Sequence, residues 1–134
     1  MANVKLGTKA VGSIVKIKVN GASKDFIVVQ QGNPNTSTYD SSCNGTWLLM
    51  KDIYTTSTFG NNNSYKDSSI HSYLNGTFFN LIDGDIRNAI KQVKIPYQNG
   101  TGSGGSLATG SNGLSTKVFL LSGYEVGWTT SDNG

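Results

Sequence analysis

The stretch Lys66-Asp67-Ser68-Ser69-Ile70-His71-Ser72-Tyr73-Leu74-Asn75-Gly76, running on into Thr77-Phe78-Phe79-Asn80-Leu81-Ile82, constrains this chain more than any other. Asp67 is placed to cap a short helix. Ile70, Tyr73 and Leu74 share one face at i, i+3, i+4 spacing, and Asn75-Gly76 offers the left-handed exit that ends a helix. Phe78, Phe79, Leu81 and Ile82 follow at once as the densest apolar cluster of the sequence. At 134 residues the chain is one domain by length, so the cluster is expected to anchor a single core spanning residues 1–134.

Around that anchor the patterning is that of strands. Ser13-Ile14-Val15-Lys16-Ile17-Lys18-Val19 alternates apolar and basic residues, Asp25-Phe26-Ile27-Val28-Val29-Gln30 answers it, and Asn20-Gly21-Ala22-Ser23 lies between as a turn. Asn-Gly between alternating runs is the strongest short hairpin signal. Thr46-Trp47-Leu48-Leu49-Met50 opens a third strand, expected to run to Ile53 or Tyr54. Being apolar throughout, it is expected to be central and covered on both faces. A second helix is predicted from Asp83-Gly84-Asp85, with Ile86, Ala89 and Ile90 facing inward, and it must stop before Pro96. Lys91 to Tyr97 is expected to be extended, Gln98 to Ser115 to be a glycine-rich coil, and Thr116 to Leu121 to be the last strand. Ser122-Gly123-Tyr124-Glu125 has capping-box spacing. The helix it announces has little room before Gly134, so the domain is expected to be cut short at its C-terminal end. The fold class is therefore α+β: an N-terminal β-hairpin and a small, mainly antiparallel sheet with two short helices and long polar loops.

Composition narrows the function classes. Only 14% of residues are charged, against roughly 25% in an average soluble domain, and 17 of the 134 are glycine. An uncharged polar surface of this kind suits extracellular or virion β-rich proteins. The net charge of +3 is spread along the chain without a run of Lys or Arg, so nucleic acid is not an expected partner. Cys43 is the single cysteine, which excludes an internal disulfide or a cysteine zinc cage. Met1 to Gly7 lacks the apolar run of a secretory signal, and no stretch approaches the ~20 apolar residues of a membrane span.

Catalytic motifs are sparse. His71 is the only histidine, so any Ser-His-Asp or Cys-His arrangement would be built on it, with Asp67 as the nearest carboxylate; a structural hydrogen bond explains it as well. Asp83 and Asp85, with Asn80 and Asn88, are weak candidates for calcium ligands, but the EF-hand glycine and terminal glutamate are missing. Helix capping and dipole complementation account for the two aspartates more simply. No cofactor is expected. Gly100 to Gly105 lacks the Gly-Lys-Ser/Thr ending of a phosphate loop, and the sequons at Asn35, Asn44, Asn62, Asn75 and Asn99 follow from composition. The aromatics Tyr39, Tyr54, Tyr65, Tyr97, Tyr124 and Trp128 fall at strand ends or in loops among Asn, Asp and Thr. That combination stacks on sugar rings and hydrogen-bonds their hydroxyls, which makes these six the candidate ligand-binding residues.

Thr46-Trp47, Ser68-Ser69-Ile70-His71-Ser72-Tyr73-Leu74-Asn75-Gly76-Thr77-Phe78 and Val118-Phe119-Leu120-Leu121-Ser122-Gly123-Tyr124-Glu125 together resemble an uncharacterised bacterial and prophage domain. Its outline is a Gly-x-x-Val hairpin start, a Ser-x-x-Arg-x-Trp-Leu-Asn-x-x-Phe helix and a Phe-Leu-Leu-Ser-x-x-Glu junction. The likeness runs from Val11 to Glu125. His71 stands where the family has arginine and Tyr73 where it has tryptophan, so no role of that arginine carries over. The resemblance implies a compact α+β domain related to C-type-lectin-like folds, found on bacterial surfaces and in phage structural proteins. It also implies a second half, with Trp-Leu-Arg-Ser and Gly-Val-Arg-Pro stretches, that this sequence lacks.

The expectation is thus a non-enzymatic phage or prophage virion component, a tail-tip or fibre-associated module assembled in the host cytoplasm. Its loops would meet a host-surface glycan or protein, and its other partners would be virion proteins or further copies of itself. The alternatives are a bacterial cell-surface adhesion or carbohydrate-binding module in an extracellular setting and, behind it, a hydrolase built on His71.

Overall fold

A computed structural model describes residues 5–60, 64–99 and 106–122. The Asn-Gly signal resolves as a two-residue hairpin. Asn20 and Gly21 take φ of 52° and 78°, the left-handed pair that a tight turn between right-twisted strands demands. This joins β1 (Ile14–Val19) to β2 (Ala22–Gln31) with Val19 opposite Ala22. β3 (Thr46–Met50) adds antiparallel to the far side of β2, giving the order β1-β2-β3. The middle strand is therefore β2. β3 is an edge strand ending at Met50, neither central nor extended to Ile53 or Tyr54, and its side chains are half-buried. Its apolar run reflects two different neighbours. Leu48 and Met50 pack on one core cluster and Trp47 on another, with a bulge between Val28 and Gln30 that re-aims the strand.

The helical stretch departs from its sequence reading at both ends. After a 3-10 turn at Tyr65–Asp67, α1 (Ser69–Tyr73) is capped by Ser68, whose hydroxyl accepts from the His71 N–H at 3.1 Å; Asp67 is not the cap. Asn75-Gly76 does not end the helix. Right-handed backbone continues through a π-turn at Leu74–Phe78 into α2 (Phe79–Leu81), and the chain becomes extended only at Ile82. The extra residue of the π-turn keeps Phe78 buried while Asn75 stays half-buried beside the segment that follows the last strand. The exit is stitched to the hairpin: Asn20 N–H donates to the Leu81 carbonyl, Asp83 N–H to that of Lys18, and Val19 bridges Ile82. Ile17, Val19, Phe78 and Ile82 form the first core cluster, edged by Phe26, Tyr73, Leu74 and Ile86 among others. Burying each such side chain contributes about 1.5–3 kcal/mol.

α3 (Gly84–Ala89) turns Ile86, and Ile90 just beyond it, toward this cluster, whereas Ala89 is exposed. Asp83 occupies the cap position without a side-chain cap hydrogen bond. The chain then crosses into β4 (Val93–Ile95) and, after Pro96, β5 (Tyr97–Asn99). The region read as coil carries β6 (Ser106–Ala108), antiparallel to β5, a 3-10 turn at Gly110–Asn112, and β7 (Leu114–Thr116), antiparallel to β4. Among the described residues the last strand thus precedes the apolar run Val118 to Leu121 instead of coinciding with it. Glycine at 113 is required by space, since a Cβ there would lie 2.7 Å from the Ile95 carbonyl oxygen. The second core cluster, Tyr39, Cys43 and Ile95 with Trp47, Val93, Leu114 and Phe119, closes over this half. The chain is an α+β domain of antiparallel strands and short helices. The capping-box reading of Ser122 to Glu125 lies outside the described residues.

Candidate functional site

Of the aromatics expected to form a ligand face, Tyr39 belongs to the second core cluster and Tyr54 packs on the first. Tyr39 is only 8% exposed and sits edge-on to Trp47, which is itself edge-on to Phe119, with ring centroids 5.6 and 5.4 Å apart. Tyr54 packs edge-on to Phe78 at 5.4 Å. Tyr65 is half-buried: its hydroxyl accepts from the Leu120 N–H at 3.2 Å, its ring lies 5.1 Å from that of His71, and burial raises its pKa. Tyr97 is in β5 opposite Ala108. Tyr124 and Trp128 lie outside the described residues. Of the four candidates described, Tyr39 and Tyr54 pack by their rings, Tyr65 by its ring and its hydroxyl, and Tyr97 stands on a strand that lies against the turn carrying Tyr65.

His71 and its surroundings are a clamp. The Asn75 Oδ1 accepts from Thr116 Oγ1 and from the N–H groups of Lys117 and Val118, at 3.1, 2.8 and 3.1 Å. Its Nδ2 donates to the carbonyls of Val118 and His71, at 2.8 and 3.1 Å, and lies 3.4 Å from His71 Nδ1. One amide therefore fastens the segment after β7 to the helix. Burial holds the His71 imidazole below its ordinary 6.5, against the pull of Asp67. Cys43 is inside the second cluster, its thiol donating to the Lys94 carbonyl at 3.2 Å, and burial pushes its pKa up, so it is packing rather than a nucleophile.

The segment held by Asn75 completes a shallow, open depression of about 330 Å³. Phe79 and Asn80 come from α2, Arg87, Asn88 and Ile90 from α3 and its end, and Lys117 from the clamped segment. The Lys117 ammonium stands 4.9 Å from the Phe79 ring centroid, in cation–π range. Arg87 donates from Nη1 to the Asn80 carbonyl at 3.2 Å, which fixes the guanidinium across the two helices. Among the described residues no carboxylate, histidine, hydroxyl or thiol lines the depression. Asn80 and Asn88, weighed in sequence as partners of Asp83 and Asp85 around calcium, do meet in one place, but two cations stand with them there. Asp83 and Asp85 are exposed, and among the described residues no three of His, Cys, Asp or Glu gather closely enough to hold a metal ion. Nothing in sequence flagged Arg87 or Lys117. They lie thirty positions apart, and a fold was needed to bring them together.

Among the described residues no helix is long and apolar enough to cross a membrane. A family model described as "Domain of unknown function (DUF6273)" matches residues 44–134. No curated protein and no solved structure matches the chain.

Proposed function

The chain belongs to the DUF6273 family of domains of unknown function, and from that premise we propose that it is a non-enzymatic recognition module for a cell-surface glycan. The observation that carries this reading is the depression itself. An aromatic ring and an aliphatic side chain can meet the apolar face of a sugar, two amides can bond its hydroxyls, and two cations flank them, with no acid/base or nucleophilic group among the described lining residues. The setting we propose is a phage or prophage virion, at the tail tip or a fibre, with other virion proteins as neighbours. A bacterial surface adhesion module is the second setting. The low charge and polar loops favour either over an intracellular enzyme. Kinship to C-type-lectin-like folds belongs to the same proposal.

The test is saturable binding of the fluorescently labelled, folded chain to intact bacteria, competed by glycans released from the same cells. Binding lost on replacing Phe79 and Lys117 by alanine supports the reading. Failure of the folded chain to bind any of a broad panel of bacteria, or binding that is indifferent to both substitutions, overturns it.

A further inference from the structure

Resting on that reading, we infer that the depression selects an acidic saccharide, one whose carboxylate or phosphate sits between Arg87 and Lys117 while the ring lies against Phe79 and Ile90. Both side chains line the depression without a carboxylate partner among the described residues, whereas Lys16 on the hairpin is paired with Asp25. Among the described residues no carboxylate neutralises the cationic character of this rim. Arg87 spends Nη1 on the Asn80 carbonyl, which leaves guanidinium donors for a planar anion. Lys117 is exposed, yet its backbone is pinned by the Asn75 amide and its ammonium rests over Phe79. The cation is therefore held near one position at low further cost in side-chain freedom. A neutral sugar would leave both charges unused.

Asn75 acts in this scheme as a positioning residue: it touches no ligand and holds the segment that carries Lys117 against the helix that carries Phe79. Because the depression is open, its attraction for an anion is screened by salt. The preference for charge should therefore fade as ionic strength rises.

Isothermal titration of the full chain with an oligogalacturonate, with its methyl ester, and with a glycerol-phosphate polymer separates the possibilities. The ester keeps the ring and removes the charge. The expected result is that the acid binds at least about tenfold more tightly than the ester at low salt, and that Arg87→Ala and Lys117→Ala each abolish most of that difference. Lys24→Ala, at a lysine that does not line the depression, should leave it intact. Asn75→Ala should reduce the preference with binding of the ester little changed, in a sample whose circular dichroism remains native. Binding of the phosphate polymer in place of the uronate overturns the inference, because that polymer has no ring to lie against Phe79 and Ile90. Equal binding of acid and ester overturns the inference and leaves glycan recognition standing. Cell binding with no affinity for either acidic probe overturns the inference alone, and absence of cell binding as well overturns both.

Discussion

At the scale of single residues, Asn75 holds more of the molecule together than its place in the sequence suggests. As Asn-Gly at the end of an apolar face it reads as a helix terminator. In the fold its φ is right-handed and its amide spans from α1 to the segment after β7. Replacing it by alanine leaves backbone groups of Lys117, Val118 and His71 without that partner, and should cost about 2–3 kcal/mol in denaturant unfolding. Asn75→Asp should cost at least as much at neutral pH, because a carboxylate would then face the Val118 and His71 carbonyls; a variant as stable as the parent would contradict the clamp. His71, beside it, gives a pH signature. Its pKa is lower in the folded chain, so the unfolded chain takes up the proton first, and stability falls as pH drops below the ordinary 6.5. Melting temperature should decline from about pH 7.5 to about pH 5, and His71→Gln should shrink that decline. Asp25, lowered chiefly by its hydrogen bond from Lys16, acts in the same direction further down: its contribution is present above the ordinary 3.8 and lost as pH falls below that through its lowered value. An unchanged decline in the His71 variant would assign the effect to carboxylates instead.

At the scale of elements, what was legible in the sequence is what is decided locally. The hairpin reads correctly because Asn20-Gly21 dictates its own backbone and the alternation of Val15, Ile17 and Val19 dictates its face. The cluster Phe78 to Ile82 reads correctly as core anchor because so dense an apolar run must be buried, and Ile17 and Val19 of the hairpin bury it. β3 was misread because an apolar strand at an edge, packed on two clusters, has the composition of a central one; only pairing distinguishes them. The glycine-rich coil hid β6 and β7 because pairing, not propensity, makes three-residue strands. Two glycines test the elements as built. Gly76 sits in the π-turn with right-handed backbone and nothing within 4 Å of a Cβ, so Gly76→Ala should stabilise by about 0.5–1 kcal/mol. Gly113→Ala should destabilise by about 1–3 kcal/mol against the Ile95 carbonyl. Thermal unfolding of both checks the pair, and the same sign for the two would contradict the packing described.

At the scale of the whole molecule, the family match begins at Asn44, yet the fold does not divide there. β3 takes its ladder from β2, and Ile17 and Val19 of the hairpin are half of the buried first cluster. A chain of residues 44–134 alone should therefore lack a cooperative thermal transition; a sharp one with native circular dichroism would mean that the hairpin is an accessory. The candidate site follows the same rule, since Phe79, Arg87 and Lys117 meet only once the clamp and the core are both in place. This is why the sequence points to aromatics at strand ends and in loops and passes over the two cations. The central claim, that this depression meets a surface glycan, is most directly tested by titrating the isotopically labelled chain with glycan released from a bound bacterium and following its amide NMR spectrum. The account predicts saturable shifts concentrated at Phe79, Asn80, Arg87, Asn88, Ile90 and Lys117. Shifts centred elsewhere, on the Tyr39 and Trp47 side or on the outer face of the hairpin, would contradict it.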